Sequence, residues 1–257
     1  MRLLSGLLLI GSVALGWAQS VAIESKSALG VPIKVITANL NDKKVKVSGV
    51  MTRQTGRPES VYSLLAKAQP TAAVCGTYFC KKTKMPIGDI VIGGNLAHYG
   101  GRGTSMGITR DNKVVFMRAP QFRRQDWRDY DYLVAAGPRL ITDGKAYVDA
   151  RSEGFRDPRI YSPAPRTAVG VTKHNKLIVV VTRKPITLTK MAQVMKALGA
   201  VNAIALDGGG SSTLYYRKKM VIAPSRPLTN LLVVYEAPEV YDRVKGRLGP
   251  DNQIAKR

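Results

Sequence analysis

Ala203-Ile204-Ala205-Leu206-Asp207-Gly208-Gly209-Gly210-Ser211-Ser212 is the stretch around which the rest of the chain can be ordered. Four apolar residues in a row read as a buried strand, and such a strand delivers Asp207 to the end of a sheet, where clefts form. Three successive glycines remove side-chain bulk there, so backbone N–H groups can converge on an anion. The Ser211 and Ser212 hydroxyls add donors suited to a phosphate or a sugar. An ordinary hairpin has no need of three glycines beside a carboxylate and two serines, so the motif reads as a site.

Working outward, Thr189–Leu198 repeats Met191, Val194, Met195 and Leu198 on one helical face. Thr187 or Thr189 can cap its start and Gly199 can end it. Before it, Leu177-Ile178-Val179-Val180-Val181 is apolar at every position and is expected inside a sheet. The loop Lys173-His174-Asn175-Lys176 joins it to Thr167–Thr172 as a hairpin. Further strands are expected at Ile33–Leu40, Lys44–Met51, Ala72–Phe79, Asp89–Ile92, Ser105–Thr109, Lys113–Arg118, Tyr132–Ala136 and Leu231–Tyr235. A second helix, Glu59–Gln69, places Val61, Leu64, Leu65 and Ala68 on one side. The pattern predicts an α+β fold: a mixed β-sheet core of many short strands with two main helices, in a single domain over 21–240.

The two ends differ from this body. Arg2, the apolar run Leu3–Gly16 and the small residues near Ala18 and Ser20 have the form of a signal peptide over 1–20. The run is too short, and its exit too polar, for a membrane span. The mature chain is therefore expected to be secreted, periplasmic or in the cell envelope, and not integral to a membrane. Residues 241–257 are polar and basic and include Gly246, Gly249 and Pro250, the composition of a disordered tail.

Lys and Arg total 40 against 17 acids, a formal net charge of +23. That field selects anionic partners such as envelope polymers and phosphorylated glycans. The bases are dispersed, in pairs such as Lys81-Lys82 and Lys218-Lys219, without interleaved aromatics, so no specific nucleic-acid partner is expected. His98 and His174 sit in unrelated contexts and two cysteines cannot close a zinc site, so neither metal nor other cofactor is expected. Cys75 and Cys80 are too far apart for a disulfide if the chain between them is extended, and near enough if Gly76 turns it. A local bridge and two free thiols both fit. No motif bears on oligomeric state.

Two more segments carry polar entries into apolar strands. Arg166-Thr167 follows a proline loop, and an arginine fork matches two oxygens of a phosphodiester. Arg226–Asn230 precedes the last strand. Taken in order, Cys75-Gly76-Thr77-Tyr78-Phe79, Ala136-Gly137-Pro138-Arg139-Leu140, Arg166-Thr167-Ala168-Val169-Gly170, Leu206–Leu214 and Arg226–Leu231 resemble the motifs of the phosphodiester glycosidases, over about 72–234. The resemblance implies an exported hydrolase that releases a sugar from a sugar-phosphate diester. Its substrate would be a glycosyl phosphodiester or another anionic glycan, with no cofactor. It implies Asp207 and Arg166 as catalytic residues, with Thr167, Gly208, Gly209, Gly210, Ser211, Ser212, Arg226, Asn230, Gly76 and Tyr78 binding substrate.

Cys75 departs from the family pattern, which has Asn before the glycine, and a thiol cannot supply an amide's donors. Thr182-Arg183-Lys184-Pro185 likewise stands where an acidic glycine turn is expected. Asp207 can serve as base, nucleophile or stabiliser of a cationic sugar, and glycosidases usually add a second carboxylate. Asp89 is the acid nearest another motif, with capping of a turn as its plainer role. The rival from another class is a non-catalytic envelope protein that binds anionic glycans or phosphorylated polymers on the same cleft.

Overall fold

The computed structural model describes residues 19–118 and 125–251. The expected signal peptide therefore lies outside the described residues over 1–18. Its last two positions, Gln19 and Ser20, lead directly into a strand at Val21.

A seven-stranded sheet runs in the order Val21–Ala28, Val31–Asn39, Lys176–Ile186, Ala164–Thr172, Ala200–Leu206, Arg139–Thr142, Lys145–Ala146. A five-stranded sheet orders Lys219–Ile222, Leu214–Tyr216, Ala72–Cys75, Asn230–Tyr235 and Lys46–Met51. The third, also five-stranded, orders Asn95–His98, Ile90–Ile92, Tyr130–Ala135, Thr104–Thr109 and Val114–Arg118.

Alternation along the strands makes the layers. Leu177, Val179, Val181, Ile204 and Leu206 join Ala72, Val74, Leu232 and Val234 in a core between sheets. The opposite faces, Ile178, Val180, Ala203 and Ala205, pack under Met191, Val194 and Met195 of the helix Leu188–Ala197. On the far side, Ala73, Leu231, Val233 and Tyr235 are covered by Val61, Leu64 and Leu65 of the helix Val61–Ala68. Each large aliphatic buried this way contributes about 1.5–3 kcal/mol. Thr187 caps the Leu188–Ala197 helix by accepting the Lys190 N–H, worth about 1 kcal/mol.

The α+β class and both main helices are as expected, and Lys176–Ile186 is an interior strand. The mixed pairing expected within the core is corrected: every ladder among the described residues is antiparallel. Lys176–Ile186 and Ala200–Leu206 do run the same way, linked by the helix. Ala164–Thr172 lies between them and pairs with both, so no parallel ladder forms.

The disordered tail expected from Tyr241 is also corrected. A helix spans Pro238–Val244, and Tyr241, Val244 and Leu248 are buried against Tyr235 and the Val61–Ala68 helix. Three apolar residues in a basic segment suffice because a partner face already exists. Residues 252–257 lie outside the described residues. Among the described residues, no helix is long and apolar enough to cross a membrane.

Candidate active site

The Ala200–Leu206 strand pairs Leu206 with Thr167, and one further step along that register sets Asp207 against Arg166. The Asp207 N–H donates to the Gly76 carbonyl at 2.9 Å, which ties this strand end to the neighbouring sheet. The turn then needs its glycines for different reasons. A Cβ on Gly208 would lie 2.7 Å from the Pro165 carbonyl oxygen, while Gly209 adopts φ 58.

Asp207 is 5% exposed and forms the floor of a cleft of about 570 Å³. Burial is the largest influence on its carboxyl and pushes its pKa above the ordinary carboxylate value. Arg226, the Ser211 hydroxyl and the Gly208 N–H oppose that shift without cancelling it. Arg226 Nη2 lies 3.2 Å from Asp207 Oδ2, its Nε donates to Ser211 Oγ at 2.7 Å, and its guanidinium sits 4.7 Å over the Phe79 ring. Ion pair, hydrogen bond and ring together hold that arginine in one pose.

Arg166 also lines the cleft, but its recorded contacts are all main-chain: Nε donates to Ile186 O and Nη2 to Ile160 O and Ser162 O. Burial lowers its pKa, and among the described residues no carboxylate pairs with it. The result is a cation held rigidly at a cleft wall, with its Nη1 outside those contacts. The expected phosphate fork is thereby narrowed, since Nη2 already serves the proline loop and Nε the end of the neighbouring strand Lys176–Ile186. Tyr78 lines the same cleft, stacked edge-on against Phe155 with centroids 5.7 Å apart. Its hydroxyl is buried and, among the described residues, has no hydrogen-bond partner, a state that costs about 1–3 kcal/mol.

A family model described as phosphodiester glycosidase matches residues 68–235, well over half of the chain, and contains this whole floor. The chain belongs to the phosphodiester glycosidase family. It is 26% identical over 172 residues to the N-acetylglucosamine-1-phosphodiester alpha-N-acetylglucosaminidase of Bos taurus, covering 60% of this chain and 33% of that one. The chain thus spans about a third of the length of the curated relatives it matches. Among solved structures, a protein from Synechocystis superposes with a TM-score of 0.73 at 15% identity, covering 85% of this chain and 62% of the other. The zebrafish N-acetylglucosamine-1-phosphodiester alpha-N-acetylglucosaminidase catalytic domain, auto-inhibited by its pro-peptide, does so with a TM-score of 0.68 at 21% identity, covering 84% and 82%. Both likenesses establish the fold.

Within this phosphodiester glycosidase fold, Asp207, Arg166, Arg226, Tyr78 and Gly208 to Gly210 meet at one cleft. The other expected residues do not line it. Asn230 is buried and braces the main chain: its Oδ1 accepts the Thr77 N–H at 2.8 Å and its Nδ2 donates to Thr77 O and Thr229 Oγ1. Gly76 lies beneath it, where a Cβ would fall 1.9 Å from that Oδ1. Thr167 is buried under the site, 3.3 Å from the Cys75 thiol, which donates to the Asp207 carbonyl at 2.9 Å. Ser211 reaches the site only through Arg226 and Asp207. Ser212 belongs to a separate hollow with Pro165, Arg183 and Ser225. The anion nest expected of the turn is also altered, because the Gly208 N–H already donates to Asp207 Oδ1 at 2.9 Å.

Cys75 and Cys80 are free thiols. Cys75 is buried and its pKa is pushed up to about 12, chiefly by burial and then by Asp207. It works as a packing and main-chain contact beneath the floor. Asp89 caps a turn: it accepts the N–H groups of Gly100 and Gly101 at 2.8 Å and the Trp127 indole at 2.9 Å. Among the described residues, no group of three or more His, Cys, Asp or Glu is gathered as for a metal ion. The cleft residues that sequence reasoning missed are Lys81, Arg102, Phe155, Arg156 and Arg159. Lys81, Arg102, Phe155 and Arg156 lie on loops and Arg159 on the one-turn helix Pro158–Tyr161; the bases Arg151, Arg156 and Arg159 signal that segment, while no pattern signals Lys81 or Arg102.

Proposed function

We propose that the chain hydrolyses a glycosyl phosphodiester, with Asp207 and the cationic walls of its cleft doing the chemistry. The observation that carries this reading is a buried carboxyl of raised pKa at the floor of a basic cleft, paired with Arg226 and sharing the lining with Arg166. Breaking the bond between the anomeric carbon and the phosphate oxygen leaves positive charge on the sugar and negative charge on the phosphate. Asp207 faces the first and accepts the proton of the attacking water, a task suited to a carboxyl of raised pKa. Arg166 and Arg226 meet the second, so that a phosphomonoester departs with its charge neutralised. Water adds its oxygen to the sugar, and the products are the free sugar and the phosphomonoester.

Asp157 is the other carboxylate of the cleft lining, and it is paired with Arg159. A leaving group as stable as a phosphomonoester needs little acid help, which fits a site whose one buried carboxylate is Asp207. The Tyr78 hydroxyl donates to a sugar or phosphate oxygen in this scheme. The family's curated relatives, named for cleavage of N-acetylglucosamine-1-phosphodiesters, support the same bond as the target. The leader-like 1–20 segment supports work outside the cytoplasm.

The test is release of free sugar from a synthetic sugar 1-phosphate methyl diester by wild type and by Asp207→Asn, in oxygen-18 water. Label in the sugar, and loss of turnover in the variant, are expected. Label in the phosphate would sink the bond assignment. Tight binding of anionic glycan with no turnover of any diester would favour the binding-only protein instead.

A further inference from the structure

The cleft carries more positive charge than its proposed reaction uses. Six bases line it (Lys81, Arg102, Arg156, Arg159, Arg166 and Arg226) against two acids, Asp157 and Asp207. Both acids are already paired, with Arg159 and Arg226. One phosphodiester brings a single negative charge.

The excess does not stop at the cleft. Phe79, Lys81 and Arg226 form a shared wall, and behind it a second hollow of about 400 Å³ is closed by Pro58, Lys84 and Pro227. Its lining holds three bases and no acid. The loop that supplies the two lysines is pinned. Cys80 N–H donates to Met85 O at 2.8 Å, Lys84 N–H to Cys80 O at 2.7 Å, and Lys84 Nζ to Lys81 O at 2.6 Å. Lys84 itself adopts φ 61. The bonds fix the backbone that carries both lysines and hold the Lys84 ammonium on the rim, above a proline and phenylalanine floor that contributes no counter-charge.

Building on the hydrolase reading, we propose that this second hollow is a subsite for a further phosphate on the leaving-group side. The substrate class is then a polymer or oligomer of glycosyl phosphates, with Arg226 serving both halves of the groove. Successive phosphates along one strand place charge where the lysines already are, and a field of this sign concentrates polyanions from solution. A neutral leaving group would leave those ammonium groups facing water, where they contribute little.

Sugar release is measured for the small methyl diester and for an oligomer of sugar phosphates, at low and high salt, with wild type and Lys84→Glu. Wild type is expected to show a KM about tenfold lower for the oligomer at low salt, a gap that closes as salt screens it. Lys84→Glu is expected to remove that gap while small-diester kinetics and thermal midpoint stay as in wild type. Equal KM values for both substrates at low salt, or an oligomer advantage that survives Lys84→Glu, would overturn the subsite.

A second arm needs no turnover: calorimetric binding of inorganic tripolyphosphate to the same two proteins. Binding that weakens about tenfold in Lys84→Glu supports the subsite even where no diester is cleaved, so the hydrolase reading can fail alone. Binding of oligogalacturonate as tight as that of tripolyphosphate would overturn phosphate as the recognised group.

Discussion

The hollow beside Arg139 is larger than the Asp207 cleft, about 720 against 570 Å³, yet the two differ more in charge than in size. Around Arg139 the polar groups are satisfied internally. Its Nη2 donates to Asn202 Oδ1, its Nε to Ile141 O, and its guanidinium lies 4.9 Å over Phe116. Glu153 accepts the Arg139 N–H and the Thr104 hydroxyl, both at 2.6 Å. The smaller cleft keeps a cation bonded only to carbonyls, a carboxyl of raised pKa and an orphan tyrosine hydroxyl. A buried carboxyl, a rigid cation and a tyrosine hydroxyl gathered on one lining, rather than volume, mark the place where a ligand fits.

Four substitution experiments would break or sharpen that contrast. The largest effect is expected from Asp207→Asn, which should lower sugar release about a thousandfold while the protein stays folded. Near-normal turnover would remove Asp207 from the mechanism. Next, Glu153→Ala should cost about 1–3 kcal/mol in urea unfolding, because the Arg139 N–H and the Thr104 hydroxyl both lose their acceptor. Turnover per folded molecule should hold. A variant that kept its stability and lost its rate would make the Arg139 hollow part of the site.

A smaller, two-sided result is expected of Tyr78→Phe. Removing an unpartnered hydroxyl should leave the fold unchanged or up to about 1 kcal/mol more stable, while kcat/KM falls about tenfold. Unchanged kinetics would reduce Tyr78 to a ring that fills space.

The smallest effect is in pH. The folded protein holds the Asp207 proton more tightly than the unfolded chain does, since its carboxyl pKa is raised mainly by burial. Wild type therefore loses this contribution as pH rises from the ordinary carboxylate value through the folded one. Asp207→Asn, which cannot ionise, should be the more stable protein above that window and gain nothing below it. Sugar release should rise over the same interval. A stability gap that narrows with pH would contradict burial as the dominant cause.

The outcomes at individual residues show what a single chain discloses. Leu177–Val181 and Ala203–Leu206 were legible as interior strands because no polar residue interrupts them, and Thr189–Leu198 because its methionines keep helical spacing. Val21–Ala28 was not, since its Glu24, Lys26 and serines suit an exposed edge strand and give no apolar signal. The tail was misjudged for a related reason: Tyr241, Val244 and Leu248 look sparse in a basic segment until the face that receives them is known.

At the site, Asp207, Arg166 and Arg226 could be nominated from residue type and motif order. Ser211, Ser212, Thr167 and Asn230 share those motifs yet line no part of the cleft. Their hydroxyl and amide groups serve the fold or sit behind it.

Sequence alone determined the α+β class, the apolar strand that ends at Asp207 and the excess of positive charge, because each is written in local order or in composition. Tertiary structure alone decided the antiparallel pairing, the Arg226–Asp207 ion pair and the basic wall brought in from Lys81 and Arg156. Those depend on contacts between segments far apart in the chain, set by which faces bury each other, and no local pattern encodes them.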